Sequence, residues 1–197
     1  MPFFLEPDYL TKPWDFSESH TTRMLRKFGS EAAFNRVKAQ QALVPRLQAV
    51  RMTEKMGYTQ ENLDRRVQSS TLDSHRLILF VSKEFGLDAS ERLYDVLNIK
   101  HFTKCGLLAR HEVLIEACRE IELSAEYVDK CAQFLSSKKY IAEIMGMYER
   151  VLALGINSIP AVVVDGRYVV TSVDEVAETI MEIMSTGGPE GKRLFSI

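Results

Sequence analysis

Apolar and polar residues alternate with a helical period through most of the second and third quarters of the chain. Apolar side chains recur three and four positions apart, as in amphipathic helices that bury one face. The predicted helices run from Thr71 to a stop at Gly86, from Ala89 to Lys104, from Arg110 to Ile121, from a cap at Ser124 through Leu135, and from Lys138 to Leu154. This part of the chain is therefore predicted to be a helical unit.

The N-terminal third has a weaker pattern. Residues 1–16 contain Pro2, Pro7 and Pro13, which favour an extended or looped segment, with 3–5 as the possible end of a strand. A short helix is predicted over 17–27, and a longer one over 30–57 with a kink at a proline inside it, Pro45. The polar stretch 59–70 is predicted to be irregular.

The C-terminal pattern changes to that of strands. Two predicted strands, 161–164 and 167–170, flank Asp165-Gly166, a dipeptide that favours a tight hairpin turn. Ser172 and Glu175 then have the spacing of a capping box, which predicts a final helix. The apolar residues of that helix are expected to pack back on the hairpin; they are Val176, Ile180, Ile183 and Met184.

The length of the chain, its net charge and its apolar runs bear on which classes of function are expected. A chain of 197 residues forms one large domain or a domain with an insertion. Its net charge of -2 gives no general attraction to nucleic acid. The apolar runs are too short to cross a bilayer, and the N-terminus lacks the pattern of a secretory signal. We therefore expect a cytoplasmic protein with no nucleic-acid or membrane partner.

The three cysteines do not form a motif known for redox or metal chemistry. Cys105, Cys118 and Cys131 leave one thiol unpaired, and no C-x-x-C is present. Their equal spacing of 13 residues cannot place them on one helical face, so it is interpreted as chance, and Cys118 and Cys131 are expected to be core residues. The four histidines are scattered, and no metal site is predicted.

Four segments together resemble one family. Residues 154–168, with the sequence LGINSIPAVVVDGRY, are similar to the C-terminal half of the thioredoxin fold in DsbA-like proteins. Residues 2–8, 26–30 and 70–78 resemble its FrnE-type branch, which is related to 2-hydroxychromene-2-carboxylate isomerase and kappa-class glutathione transferase. The resemblance implies an α/β thioredoxin-like fold that is mostly helical because of a large all-helical insertion.

The domain boundaries and activity follow from the resemblance as expectations. Residues 1–16 and 151–186 would belong to the thioredoxin half, 17–150 to the insertion, and 187–197 to a tail. The implied activity is thiol-disulfide oxidoreductase, but the family's first strand, C-x-x-C turn and first helix would precede residue 1. The chain, whether truncated or a relative that lost the chemistry, is therefore expected to be inactive alone.

Three alternatives stay open: a redox-dead module that binds a peptide or protein partner, a glutathione-dependent isomerase or transferase relative, and a helical interaction protein in which the hairpin is incidental.

The resemblance also implies a binding site. Pro160 would be the family's cis-proline, and with Ser158 and Ile159 it would bind a substrate peptide or glutathione; otherwise Pro160 only begins a strand. Ser172 and Asp174 are weaker candidates for a glutathione contact at a helix N-terminus. No catalytic residue or cofactor is expected, with glutathione at most a substrate.

Two further expectations concern structure. Asp73 and His75 are expected to be structural, since no nucleophile with a matching partner is present. Without the family's first strand and helix the sheet edge would be uncovered, which predicts a homodimer, a strand exchange or a marginally stable product.

Overall fold

The computed structural model describes residues 4, 6–13, 16–36, 62, 65–156, 161–164, 168–170 and 173–186. The chain divides into two compact units. The larger is Glu6–Ile144, and the smaller combines Met1–Leu5 with Met145–Ile197. Across the described ranges the protein is mostly helical, with two antiparallel two-stranded sheets.

The elements are as follows. The helices are α1 His20–Phe28, α2 Leu72–Phe85, α3 Leu87–Asn98, α4 His111–Glu120, α5 Ala125–Leu135, α6 Ile141–Ala153 and α7 Val173–Thr186, and residues 31–36 are also helical. The strands are β1 Ser17–Ser19, β2 Val67–Ser69, β3 Val162–Val164 and β4 Tyr168–Val170. The division between the two units falls inside α6.

The N-terminal segment differs from its prediction in three places. Pro7–Thr11 forms a 3-10 helix, although a loop was predicted. Ser17–Ser19 is a strand rather than the first turn of a helix, because Ser19 caps α1 by accepting the Thr22 N–H at 3.1 Å. That strand pairs antiparallel with Val67–Ser69, in the stretch predicted to be irregular. The predicted strand at 3–5 and the kink at Pro45 fall outside the described residues, apart from Phe4, which is not in a strand.

The helices between α2 and α5 occupy the predicted places with shifted ends. Thr71 makes no side-chain cap at the start of α2; Ser70 Oγ accepts the Leu72 N–H instead, at 3.3 Å. The predicted cap at Ser124 is confirmed, since its Oγ accepts the Tyr127 N–H at 3.4 Å. Helix α6 begins at Ile141 rather than at the predicted residue 138.

Helix α3 ends earlier than predicted. After Asn98 the backbone changes to a π-helix over Ile99–Thr103. Gly106 then donates its N–H to the Lys100 carbonyl at 2.8 Å. A Cβ at this glycine would lie 3.1 Å from the same oxygen, so a residue with a side chain would crowd this turn. Gly106 therefore allows a close backbone approach after the helix.

The core of the larger unit lies between α2, α3, α4 and α5. Its buried side chains come from the apolar faces that the helical period predicted. They include Leu77, Val81, Leu93, Leu97, Leu114, Ala117, Cys118, Val128, Cys131, Phe134 and Leu135. Phe80 and Phe134 stack at the centre, with ring centroids 4.2 Å apart.

The smaller unit contains the predicted hairpin. Strands β3 and β4 pair antiparallel, with Val162 opposite Val170 and Val164 opposite Tyr168, which confirms the predicted pairing. Helix α7 packs on both strands, also as predicted. The Phe4 ring packs edge-on against Tyr148 of α6, with centroids 5.0 Å apart, so both chain ends contribute to this unit.

One face of α7 was predicted wrongly. Ile180 and Met184 were expected to face the hairpin, but they are 42% and 82% exposed. Thr179 is buried instead, and Val176 and Ile183 are half-buried. These three positions lie three and four residues apart, so they form one helical face that is rotated from the expected one.

Candidate functional site

The residues predicted to bind substrate lie at the junction between α6 and β3. Ser158, Ile159 and Pro160 fall outside the described residues, as does Ser172, while Asp174 belongs to the first turn of α7. The structure describes the flanks of the junction. Gly155 ends α6 with a φ of 74°, a left-handed conformation that glycine adopts without strain, and Ile156 is buried.

Strand β3 presents a sheet edge beside this junction. The sheet contains two strands, and within the described ranges β4 is the one that pairs with β3. Val162, the first residue of β3, is 36% exposed. An unpaired strand edge offers a row of N–H and C=O groups that an extended peptide can pair with. The geometry of the described flank is therefore suited to binding extended polypeptide.

A second candidate place is a cavity in the larger unit, with a volume of about 150 Å³. It lies between the N-terminal 3-10 helix and the start of α2. Its lining residues mix charged, hydroxyl and apolar groups; they are Tyr9, Leu10, Lys12, Ser70, Leu72, Asp73 and Ala109. The lining therefore includes a carboxylate, an ammonium group and hydroxyl groups.

Asp73 connects the cavity wall to Arg76 and to His111. Its Oδ1 accepts from Arg76 at 2.5 Å, and its Oδ2 lies 2.8 Å from Nε2 of His111, the first residue of α4. Both carboxylate oxygens therefore have a hydrogen-bond partner. No local pattern predicts this contact, because His111 lies 38 positions after Asp73.

Arg76 shows that this cluster is structural. Its side chain is 2% exposed and donates to the carbonyl oxygens of Ser137 at 2.6 Å and Lys139 at 2.8 Å. The guanidinium also lies over the Phe134 ring, 5.1 Å from its centroid. Arg76 thereby supplies donors to the carbonyls after α5, and Asp73 balances its charge.

Tyr9 belongs to a second polar network. Its hydroxyl donates to Glu18 of β1, and Arg26 donates to both Glu18 at 2.7 Å and Glu6 at 2.9 Å. Burial works to raise the pKa of Glu18, but the hydrogen bonds from Arg26 and Tyr9 outweigh it and lower that pKa. Burial and the bond to Glu18 raise the pKa of Tyr9, so its phenol stays protonated.

His75 has a structural contact, as its sequence context predicted. Its Nδ1 lies 2.7 Å from the carbonyl oxygen of Thr71, the residue directly before α2. Burial lowers the pKa of this histidine, which favours the neutral ring at pH 7. The neutral ring donates to the carbonyl and so tightens the start of α2.

The three thiols differ in burial. Cys105 is half-buried, and its Sγ donates to the Asn62 carbonyl oxygen at 3.4 Å. Cys118 and Cys131 are fully buried core residues, as predicted.

Two kinds of feature are absent from the part of the chain that the structure describes. No group of three or more His, Cys, Asp or Glu side chains in those ranges is arranged to hold a metal ion. None of the helices there combines the length and apolar character needed to cross a membrane.

Comparison with known proteins finds no matching family model, no matching curated protein and no matching solved structure.

Proposed function

We propose that this chain is a thioredoxin-fold protein of the DsbA-like thiol-disulfide oxidoreductase family, and that it binds extended polypeptide at residues 158–160 and the β3 edge. It performs no C-x-x-C chemistry by itself, because its sequence contains no such motif. The proposal rests on the resemblance of four segments and on the structure of the smaller unit.

The discontinuous smaller unit is the observation that carries the proposal. Its parts come from both ends of the sequence, and the helical unit Glu6–Ile144 lies between them in the chain. Phe4 packs on Tyr148 within this unit. A domain made of two chain ends and interrupted by a helical insertion is the organisation that the DsbA-like resemblance implies.

The order of elements after α6 supports the same proposal. A helix, a junction with Ile-Pro, two antiparallel strands and a helix packed on both strands follow one another in that order. The resemblance implies this order for the C-terminal half of the fold. A peptide bound beside Pro160 would pair with β3 as an additional strand of the sheet. Its backbone hydrogen bonds would supply the affinity, and Val162 would contact peptide side chains that point to one face of the sheet.

The test is a binding assay with a fluorescein-labelled insulin B chain whose cysteines have been alkylated. We expect a saturable rise in fluorescence anisotropy with the wild-type chain. Pro160→Ala should weaken binding roughly tenfold, which corresponds to about 1.4 kcal/mol, because it removes the residue that fixes the junction. Pro45→Ala is the matched control, since the larger unit contains that proline.

Either of two binding results would contradict the proposal: no binding by the wild-type chain, or equal weakening by Pro160→Ala and Pro45→Ala. Insulin reduction, measured in parallel with dithiothreitol and with glutathione, should show no rate above the uncatalysed reaction. A catalysed rate that requires glutathione would replace the proposal with the glutathione-dependent alternative.

A further inference from the structure

Helix α7 has a second apolar face besides the buried one. The buried and half-buried side chains are Val176, Thr179 and Ile183. The outer face consists of exposed apolar side chains that recur three and four positions apart; they are Ala177, Ile180, Met181 and Met184. Met181 is 63% exposed and Met184 is 82% exposed. The function proposed above uses none of these side chains.

Acidic residues border the outer face of α7. Glu175, Glu178 and Glu182 are exposed and lie three and four positions apart, so they form a stripe along the helix. Glu178 and Met181 are also three positions apart, which places this stripe beside the outer face. The sequence of Val173–Thr186 contains no lysine or arginine. A partner that binds the outer face therefore meets apolar side chains bordered by negative charge.

We propose that the outer face of α7 docks a basic amphipathic helix of a partner protein. Opposite charge selects this partner, because lysines or arginines beside its apolar stripe would lie near Glu175 and Glu178. A second α7 would instead bring like charges together, and so would an anionic lipid surface. The flexible methionine side chains can adapt to the packing of the partner helix.

The partner is a helix because of the groups that the side of α7 offers. Along a helix the backbone N–H and C=O groups bond to each other, so the outer face binds through side chains. A second helix with apolar residues at the same three- and four-residue spacing can pack its side chains between those of α7. The edge of β3 differs, since a strand edge offers backbone groups to an extended peptide.

Fluorescence anisotropy with a labelled model peptide tests the proposal on the full chain. The probe has 14 residues, the length of α7, with leucine at helical spacing and lysine at the other positions. It should bind saturably, and a peptide with glutamate in place of every lysine should not bind. The affinity should fall several-fold at high salt, because salt screens surface charges. Unlabelled alkylated insulin B chain should not displace the lysine peptide, since the B chain is expected at the β3 edge.

Two variants separate the apolar contribution from the charged one. Met184→Gln should weaken binding of the lysine peptide roughly tenfold, because it replaces an apolar contact by a polar side chain. Glu178→Gln should weaken it roughly threefold at low salt and less at high salt. Leu87→Gln and Glu91→Gln are the matched controls, because both change exposed residues of α3 in the larger unit, and they should leave the affinity unchanged.

Several results would overturn the proposal. They are no binding of the lysine peptide, equal binding of the glutamate peptide, or equal weakening by the α3 and α7 variants. Displacement by the B chain would place both ligands on one surface and would also overturn it. If Met184→Gln converts a dimer to a monomer in sedimentation, the outer face binds a second copy instead. If Met184→Gln abolishes binding to phosphatidylcholine vesicles, the outer face binds lipid instead.

Discussion

At the scale of single residues, Arg76 is the buried charge with the most specific set of contacts. Its guanidinium donates to Asp73 and to the carbonyls of Ser137 and Lys139. Arg76→Met keeps much of the side-chain volume but leaves two carbonyls and a carboxylate without their donor. Leaving buried polar groups unpaired is costly, so we expect a loss of about 3 kcal/mol in unfolding free energy, measured by urea denaturation.

Arg92→Met is the matched control for that substitution, because Arg92 is an exposed residue of α3. An exposed substitution of this kind should change the unfolding free energy by less than about 0.5 kcal/mol. If Arg76→Met were equally mild, the contacts of Arg76 would not be stabilising the protein.

The contribution of Glu6 to the unfolding free energy is expected to depend on pH. Burial works to raise its pKa, but hydrogen bonds from Arg26 and Arg23 outweigh burial and lower it below the usual 4.5. A carboxylate with a lowered pKa in the folded state adds stability above about pH 4.5, and this is lost as the pH falls through the folded-state pKa. Glu6→Gln should therefore cost about 1 kcal/mol at neutral pH and progressively less in acid.

Urea unfolding at a series of pH values between neutral and acid checks this dependence. Glu91→Gln, an exposed substitution on α3, serves as the control and should give a small difference at every pH. A cost of Glu6→Gln that stays constant down to acid pH would show that its charge is not what stabilises the fold.

At the scale of elements, substitution by alanine is expected to change the stability in opposite directions at two glycines. A Cβ at Gly106 would lie 3.1 Å from the Lys100 carbonyl oxygen in the turn after the π-helix, whereas a Cβ at Gly146 within α6 would meet no atom within 4 Å. Gly106→Ala should therefore destabilise the protein by about 1–3 kcal/mol. Gly146→Ala should stabilise it by up to about 1 kcal/mol, because alanine favours a helix.

Thermal or urea unfolding of the two variants under identical conditions measures this difference. A stabilising effect of Gly106→Ala would mean that the turn relaxes without cost. In that case the backbone approach to Lys100 would not explain why a glycine occupies position 106.

The sequence predicts best those elements whose stabilising interactions lie within the segment itself. Helices α4 and α5 end within a few residues of their predicted bounds, because a periodic apolar face and the Ser124 cap lie within the segment itself. Strand β1 was missed because Ser17–Ser19 has no apolar alternation and depends on a partner about 50 residues away. The contact between Asp73 and His111 was missed for the same reason. The predicted residues 158–160 stay a prediction.

At the scale of the whole molecule, the sheet edge at β3 predicts self-association. Within the described ranges β4 is the strand that pairs with β3. The other edge of β3 therefore combines backbone groups without a strand partner in those ranges with the exposed side chain of Val162, and a second copy can pair there as a peptide would. Val162→Lys places a charge on this edge, which is a common way in which proteins prevent edge pairing. We expect the wild-type chain to sediment as a dimer in analytical ultracentrifugation and Val162→Lys to sediment as a monomer.

Met184→Lys is the informative comparison, because Met184 is the most exposed apolar side chain of α7 in the described residues and lies in the same unit. It should leave the dimer intact if two copies pair through β3. Dissociation by Met184→Lys but not by Val162→Lys would place the contact on α7 and contradict edge pairing. If two copies pair through β3, a peptide and a second copy compete for the same edge. A rising concentration of the labelled B chain should therefore shift the wild-type protein from dimer to monomer.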